Sequence, residues 1–498
     1  MPERYFLASV LCSFGGFLFG YVEYFAEYYE DGEEDVLIDI DPCRIDTGII
    51  GPVTVMSSYL SMFGSLSSTV HGLIVSSILI PAAISSFFAG RVADRLGRPN
   101  SISIGALIFG IGAALEAGAV HLGMFIVGRC IEGIGEGLYL GNLVVYICEI
   151  SPPSKRGPLT TGPQLLITLG LVVGFFTCYG TTGIDSSMSW RLPFILLASL
   201  SFVFSISCYL FLPHSPRWLK LSGRPAEAAE TWDFLGVSRA EREKVEVEQD
   251  QGETDTKTNF WALFSKDVRG RTALAVFMMG MQQLSGIDGV LYYAPLLFQQ
   301  AGLTSSNASF LASGVSAIVI FAVTIPAAIF ADKWGRRHST IYGGIGLGIV
   351  MFLIGGLYAG NQVHGDFGAG RWVVIVSIYV FAVIYCVSWA VGIKIYAAEI
   401  QPQQTRAAAT SLAHGSNWCT NFLVALVTPI LLSKSSFAIY FMFGGCVLLT
   451  SFICALSMPE TRGKSLEEIE EVFKRTSGST RLMNLRKLVA RTTIRHEI

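Results

Sequence analysis

The sequence predicts an all-α protein whose helices cross a membrane many times. Of its 498 residues, 51% are hydrophobic and only 15% are charged, whereas about 25% of the residues of a soluble domain are charged. Apolar stretches of roughly 20 residues, the length that spans a bilayer, recur along nearly the whole chain. They are rich in Gly, Ala, Ser and Thr, which allow helices to approach closely in lipid. We therefore predict a polytopic membrane protein of twelve transmembrane helices.

The predicted spans form two pseudo-symmetric halves of six helices. The N-terminal half covers residues 1–212, a cytoplasmic linker with short helices 213–271, the C-terminal half 272–458 and a basic cytoplasmic tail 459–498. Paired halves with a site near the midplane between them are typical of secondary transporters. In chain order, the spans are 5–21 continued by 46–56, 70–90, 101–120, 122–147, 160–180, 191–212, 272–298, 310–331, 340–360, 371–398, 407–431 and 437–457.

The two halves also share short motifs at equivalent turns. The second span is followed by "GRVADRLGRP" (90–99) and the eighth by "ADKWGRRHS" (331–339). The fourth is followed by "EISPPSKRG" (149–157) and the tenth by "EIQPQQTRA" (399–407). The basic residues of all four turns fall on one side of the membrane, so the positive-inside rule places both termini and the linker in the cytoplasm.

Each shared turn combines acids with bases, which predicts ion pairs at the cytoplasmic surface. Such pairs can latch the two halves in one state and release them in another, because packed interfaces switch between discrete arrangements. The alternative is that the positive charges only anchor the topology. The predicted latch residues are Asp94, Arg95, Arg98, Glu149, Arg156, Asp332, Arg336, Arg337, Glu399 and Arg406.

With these motifs the chain resembles the sugar porter family of the major facilitator superfamily, in its fungal-type proton symporters. The resemblance covers Asp46 to about Phe473 and the earlier "GGFLFGY" (15–21). It implies transport of a monosaccharide across a plasma membrane by alternating access. His214 departs from the family, which usually has Glu there, and this could weaken one cytoplasmic ion pair. Further shared motifs are "GRCIEGIGEG" (128–137), "LPHSPRWL" (212–219), "QQLSGIDGVLYYAP" (282–295) and "PETRGKS" (459–465).

A sugar site needs amide donors and acceptors set among apolar and aromatic surfaces. The resemblance places Gln164 at the family's sugar-binding Gln, and Tyr292 and Tyr293 at its outer gate. Polar side chains at membrane depth are costly unless they are used, although each amide taken alone can instead join neighbouring helices. The amides expected to contact the substrate, with Trp418 as an apolar wall, are Gln164, Gln282, Gln283, Asn417 and Asn421.

Two further site residues depart from the family pattern, and both add charge. Asp288 stands where sugar porters usually have Asn, and Lys394 where glucose and xylose porters have a cavity Trp. A lysine at this depth needs water, a partner acid or an anionic substrate. Lys394 and Asp288 can pair with each other. Alternatively, Lys394 receives a carboxylate, and the substrate is then a sugar acid or cyclitol acid such as galacturonate or quinate.

Energy coupling is predicted to involve Asp46 and Arg129. Proton-coupled family members have Asp in a Gly-Tyr-Asp sequence of the first span, and Asp46 corresponds to it if Gly20-Tyr21 once adjoined it. An ionised acid pairs with Arg129 and a protonated one releases it, so we predict proton symport. A purely structural ion pair is the alternative. Three more intramembrane acids have no separable role: Glu116, Glu132 and Glu136.

An acidic segment, residues 22–45, interrupts the first span. It carries nine acids, and a charged group at the bilayer centre costs about 2.5–3.5 kcal/mol even on the most lenient scale. We favour the interpretation that the segment is a translated intron, because its removal restores a continuous span with Gly-Tyr-Asp intact. In the alternative, the segment loops out to one side of the membrane and leaves Met1–Tyr21 to span alone.

Other classes of protein are less consistent with the sequence. It contains no nucleophile–base set and no metal-ligand cluster, so we expect neither an enzyme nor a cofactor or metal, and no nucleic-acid partner. The expected partners are a small-molecule sugar or sugar acid, a proton and the lipid bilayer. A facilitative sugar uniporter is the alternative to a symporter. A sugar sensor or a nonfunctional product is the alternative if 22–45 is real and disrupts the first helix.

Overall fold

The computed structural model describes an all-helical protein, as the composition predicts. It describes residues 4–22, 53, 56–64, 70, 73–74, 76–238, 242, 263–265, 268–287, 306–363, 368–402, 405–435, 437–461 and 473. The helices of the N-terminal half and linker are α1 (Arg4–Val22), α2 (Ser57–Phe63), α3 (Leu79–Leu96), α4 (Arg98–Ala117), α5 (Leu122–Ile150), α6 (Pro153–Thr160), α7 (Gly162–Thr181), α8 (Met188–Phe211), α9 (Pro216–Leu221) and α10 (Pro225–Leu235). Those of the C-terminal half are α11 (Arg269–Gln283), α12 (Ser306–Trp334), α13 (Arg336–Ala359), α14 (Gly370–Glu399), α15 (Arg406–Lys434) and α16 (Ala438–Ser457).

The two halves repeat one pattern of helix packing. In the N-terminal half, α4 packs against α5 and α8, α3 against α5, and α1 against α7. In the C-terminal half, α13 packs against α14 and α16, α12 against α14, and α11 against α15. Every pair of the first set has its counterpart six spans later in the chain. The predicted pair of pseudo-symmetric halves is therefore confirmed.

The halves meet along two symmetry-related seams, α3 against α15 and α7 against α12. Both seams use a glycine of the C-terminal half to admit an aromatic ring of the N-terminal half. Gly415 on α15 faces Phe87 on α3, and Gly314 on α12 faces Phe175 on α7. Small residues at such contacts allow close approach of helices in lipid.

Eight of the described helices are long and apolar enough to cross a membrane. Among the other predicted spans, α3 and α5 fall short of this description because they carry charge. The 29-residue α5 contains Arg129, Glu132 and Glu136 in its interior, and α3 ends with Arg91, Asp94 and Arg95. The eight are Arg4–Val22, Arg98–Ala117, Pro158–Thr181, Met188–Phe211, Arg336–Ala359, Gly370–Ala397, Ala408–Leu432 and Ala438–Ser457.

The first helix, α1, is a full span of 19 residues that ends at Val22. Its "GGFLFGY" stretch forms the contact with α7, because Gly16 and Gly20 admit the backbone of Pro163 and Ile167. Helix α1 is therefore packed into the N-terminal half without any residue of the acidic segment beyond Val22. Residues 23–45 and Asp46 lie outside the described residues, so the two interpretations of that segment both stand.

Candidate functional site

A lysine joins the two halves at the centre of the candidate site. Nζ of Lys394 on α14 lies 3.4 Å from Oε1 of Gln164 on α7 and donates a long hydrogen bond to it. Lys394 is exposed and Gln164 is partly buried, so solvent or a solute can reach this contact. The two residues are 230 positions apart in the chain. The structure therefore brings together the predicted sugar-binding Gln and the cationic departure from the family pattern.

His414, one turn before Asn417 on α15, completes this group. It lies close enough to Lys394 for their charges to interact, and it is partly buried. A neutral imidazole at this position can donate or accept a hydrogen bond beside the ammonium of Lys394. Lys394, Gln164 and His414 thus combine one fixed cation with two groups that can contact hydroxyl or carboxylate oxygens.

The predicted amides on α11 and α15 form a separate, buried network. Nε2 of Gln282 donates to the carbonyl of Trp389 at 2.9 Å, and Nε2 of Gln283 donates to Oδ1 of Asn417 at 3.4 Å. Nδ2 of Asn417 in turn donates to the carbonyl of Met279 at 2.8 Å. In this conformation Gln282, Gln283 and Asn417 therefore join helices of the C-terminal half. Helix joining is the alternative to substrate binding that the sequence allows for each amide.

Trp418 and Asn421 lie on the same part of α15. The indole of Trp418 meets the ring of Phe19 on α1 edge to face, with centroids 5.9 Å apart and planes at 87°. This geometry is favourable between aromatic rings and adds a contact between the halves beside the predicted sugar site. Asn421 is fully buried. The other three predicted residues, Asp288, Tyr292 and Tyr293, lie outside the described residues.

Arg129 lies in the interior of α5 and pairs with a carboxylate of its own helix. Its Nη1 is 3.2 Å from Oε2 of Glu132, one turn further along, and both side chains are almost fully buried. Burial strengthens such a pair because water does not screen it. The predicted partner, Asp46, lies outside the described residues, so Arg129 has a described carboxylate neighbour that the sequence analysis did not assign to it.

The turn between α3 and α4 of the N-terminal half contains the first predicted ion-pair network. Arg98 at the start of α4 contacts Asp94 at 2.8 Å and Glu149 at the end of α5 at 3.4 Å. Arg95 is exposed on the last turn of α3. The described pairs tie α3, α4 and α5 of one half together. Arg156 belongs to α6, but its side chain lies outside what the structure describes.

The equivalent turn of the C-terminal half contains the second network. Arg336 contacts Glu399 at 3.1 Å, and Glu399 also accepts a hydrogen bond from Thr461 at 2.8 Å. Nη2 of Arg337 donates to the carbonyl of Ala455 at 2.9 Å. The described pairs again join elements of one half. Asp332 and Arg406 belong to α12 and α15, but their side chains lie outside the described part.

Sequence reasoning missed two residues of these sites. His414 could have been found from helix periodicity, because it lies on the same face as Asn417 at i−3. Glu460 belongs to the recognised "PETRGKS" motif but had been given no role. Its carboxylate accepts hydrogen bonds from the backbone N–H groups of Arg336 at 3.0 Å and Arg337 at 3.2 Å. Glu460 could have been found by comparing the halves, because it follows the last span of the C-terminal half as His214 follows the last span of the N-terminal half.

Known proteins resemble this chain over most of its length. The family model "Sugar (and other) transporter" matches residues 44–473. The high-affinity glucose transporter of Kluyveromyces lactis is 30% identical over 439 residues, which cover 83% of this chain and 79% of that protein. The probable metabolite transport protein CsbC of Bacillus subtilis is 31% identical over 432 residues, covering 86% of this chain and 91% of that protein.

A solved structure is similar over nearly the whole fold. The proton:xylose symporter XylE, bound to 6-bromo-6-deoxy-D-glucose, superposes with a TM-score of 0.76 at 25% identity. The superposition covers 94% of this chain and 99% of that chain. The inward open conformation of XylE from E. coli has a TM-score of 0.70 at 24% identity, with coverage of 94% and 99%. The fold is therefore that of the major facilitator superfamily.

Proposed function

The chain belongs to the sugar transporter family and is a multi-pass membrane protein; from that premise, we propose that it carries a sugar acid together with a proton. The sugar acid binds between the halves, which alternate access to it by rocking. The observation that carries the choice of an acidic substrate is the contact of Lys394 with Gln164 across the two halves. The symport depends on Asp46 and Arg129 as the exchanging pair.

The electrostatics of the site support a carboxylate ligand. Lys394 carries a full positive charge. The other described side chains of the site are neutral amides and an imidazole. A carboxylate placed at Nζ forms a charge-assisted hydrogen bond, which is roughly twice as strong as a neutral one. Gln164 then contacts a neighbouring hydroxyl, and His414 adds a second donor. Pairing of Lys394 with Asp288 is the competing arrangement, and the experiment below separates the two.

The experiment compares acidic with neutral sugars on one protein preparation. Wild type, Lys394→Trp and Lys394→Arg are reconstituted in proteoliposomes, and uptake of labelled galacturonate, quinate, glucose and xylose is measured. Loss of a charged hydrogen bond worth about 1.5–3 kcal/mol lowers the acid-to-neutral preference about 10- to 100-fold in Lys394→Trp. Lys394→Arg retains the preference. Lys434→Gln, which removes an exposed positive charge at the end of α15, is the matched control.

Two outcomes decide the substrate class. A preference that falls in Lys394→Trp and persists in both Lys394→Arg and Lys434→Gln supports the acidic substrate. An unchanged preference in Lys394→Trp, with transport retained, assigns Lys394 to pairing with Asp288 and leaves a neutral monosaccharide as the substrate.

We place the protein in the plasma membrane with both termini in the cytoplasm. The orientation is supported by the basic turns, since the exposed Arg95 and the partly buried Arg98 and Arg336 belong to equivalent turns of the two halves. The choice of the plasma membrane rests on the resemblance to the sugar porter family.

A further inference from the structure

A buried cluster of charged side chains lies at the contact of α4 and α5. It consists of Glu116 on α4 and Arg129, Glu132 and Glu136 on α5, none of which is more than 2% exposed. Glycines bring the two helices together there. Gly112 faces the backbone of Glu132, and a Cβ on Gly128 would lie 2.7 Å from Cγ of Glu116. The cluster is therefore fixed by close helix packing and is screened from water.

The carboxyl groups of the cluster face one another and share a single guanidinium. Arg129 contacts Glu132 at 3.2 Å, and the charge of Glu116 lies close enough to Glu132 for the two carboxyls to interact. Both carboxyl oxygens of Glu116 are buried without a hydrogen-bond partner among the described residues. Glu136 faces the same pair from the next turn of α5. An isolated buried carboxylate is so unfavourable that it takes up a proton instead. One guanidinium balances one carboxylate, so protons must reside on the cluster.

The hydroxyl of a buried tyrosine gives an independent indication that protons bind at this place. Tyr59 on α2 is fully buried, and it lies close enough to Glu116 and Arg129 to interact with both. Its hydroxyl has no hydrogen-bond partner within the described ranges. Buried hydroxyls are nearly always hydrogen-bonded, and a carboxyl that gains or loses its proton can supply the missing partner as acceptor or donor.

The other elements packed around the cluster add little charge in the described part. Helix α3 faces α5 through Ile78, Ala82 and Ser85, none of which titrates at physiological pH. Helix α8 contributes Arg191, whose guanidinium is occupied by the carbonyls of Ala117 and Ala119 at 2.7 and 2.8 Å. Cys130 on α5 donates to the carbonyl of Ser77.

We propose that this cluster is a proton-binding site that holds two protons, one shared by Glu116 and Glu132 and one on Glu136, so that Arg129 balances the single carboxylate charge that remains. Transfer of a further proton from hydronium to ionised Glu132, which requires water to reach the buried cluster, yields the neutral acid and a water molecule and frees Arg129 to pair elsewhere. All four members of the cluster belong to α4 and α5 of the N-terminal half. Its use in transport rests on the proposed symport, whereas the presence of the shared proton does not.

Infrared difference spectroscopy of the reconstituted protein tests the shared proton directly. A protonated carboxyl gives a C=O stretching band that an ionised one lacks, and labelling of glutamate side chains with carbon-13 shifts the band if glutamate carries it. At neutral pH we expect such a band in wild type, reduced by the absorption of one carboxyl in Glu116→Gln and in Glu132→Gln. Glu230→Gln, on the exposed face of α10, leaves the band unchanged as the matched control.

Two results would overturn the proposal. The first is a wild-type spectrum without a glutamate-derived band at neutral pH, a measurement that needs no variant to fold. The second is a band of unchanged amplitude in both Glu116→Gln and Glu132→Gln. Neither result depends on which sugar is carried or whether a proton gradient drives it, so failure of the proposed function leaves this test intact.

Discussion

The turn between α3 and α4 and the equivalent turn between α12 and α13 have the same backbone and different chemistry. Each turn places a glycine at positive φ between two long helices, Gly97 at φ 87° and Gly335 at φ 78°, a conformation that glycine adopts without steric cost. A segment beyond the last span of each half covers the glycine. A Cβ on Gly97 would lie 2.7 Å from Nδ1 of His214, and one on Gly335 would lie 2.9 Å from Oε2 of Glu460.

The covering residues stabilise the turns by different interactions. Glu460 accepts from the first backbone N–H groups of α13, where a negative charge is favoured by the helix dipole. His214 supplies no negative charge and instead stacks on Trp218, with ring centroids 4.9 Å apart. The indole of Trp218 donates to the carbonyl of Asp94 at 2.8 Å. The C-terminal turn is therefore the more strongly held, and the N-terminal turn is the more easily opened.

The largest expected effect comes from removing the carboxylate of the C-terminal turn. Glu460→Gln weakens two hydrogen bonds from backbone N–H groups and removes a favourable dipole interaction, so it lowers the free energy of unfolding by about 2–3 kcal/mol. Thermal unfolding of the purified protein measures this change. His214→Gln in the other half is the control and should change stability less. A larger loss of unfolding free energy in His214→Gln than in Glu460→Gln would show that the N-terminal turn is the more strongly stabilised of the two.

A carboxylate placed in the N-terminal turn should reduce the asymmetry. In His214→Glu, the new side chain lies beside the start of α4 and near Arg224 on the linker, so it gains the dipole interaction that Glu460 has. We expect the free energy of unfolding to rise by about 0.5–1 kcal/mol. The same unfolding assay measures it. A lower melting temperature in this variant would show that stacking on Trp218 contributes more than a carboxylate can.

The smallest expected effect is a pH dependence that is confined to the N-terminal turn. Burial, and then the positive charge of Arg224, lower the pKa of His214 below its ordinary value of 6.5, against a weaker opposing effect of Glu227. The unfolded chain therefore binds more protons than the folded one between the two pKa values. The contribution of His214 is complete above pH 6.5 and is lost as the pH falls toward the lowered pKa.

Melting temperatures at pH 7.5 and 5.5 measure this dependence. We expect a steeper fall toward pH 5.5 in wild type than in His214→Gln, which has no titrating group at that position. If the melting temperature falls equally with pH in the two proteins, His214 does not contribute to the pH dependence of stability.

The fold could be predicted almost completely from the sequence, because bilayer length and the repeated turns are local properties. The motifs around Gly97 and Gly335 located both turns for the same reason. Contacts between distant segments could not be predicted this way. The proximity of Lys394 to Gln164 depends on how two halves dock, and that of Glu460 to Arg336 depends on where the last span ends. The pairing of Arg129 with Glu132 could have been predicted from their spacing of three residues on a helix. The family pattern instead predicts Asp46 as the partner of Arg129.

The charged departures of the site are also where resemblance to the family predicts least. Where this chain has Lys394 the family residue is aromatic, so only the charge and the membrane depth of Lys394 indicate its role. The amides on α11 and α15 show the opposite case. Gln282 and Asn417 are expected at the substrate because polar side chains at membrane depth are costly unless they are used, and in this conformation they hold helices together. A buried amide can serve both purposes in different states, because interfaces of transporters rearrange during transport.

Accumulation of substrate in proteoliposomes tests the central claim, proton-driven transport, most directly. An inward proton gradient is imposed on vesicles that contain the protein, and the internal concentration of a labelled sugar acid and of a labelled neutral sugar is followed with and without a protonophore. The account predicts that one of them rises above its external concentration and returns to equilibrium when the protonophore is added. Uptake that stops at equilibrium and is unaffected by the gradient would contradict symport and identify a facilitative uniporter.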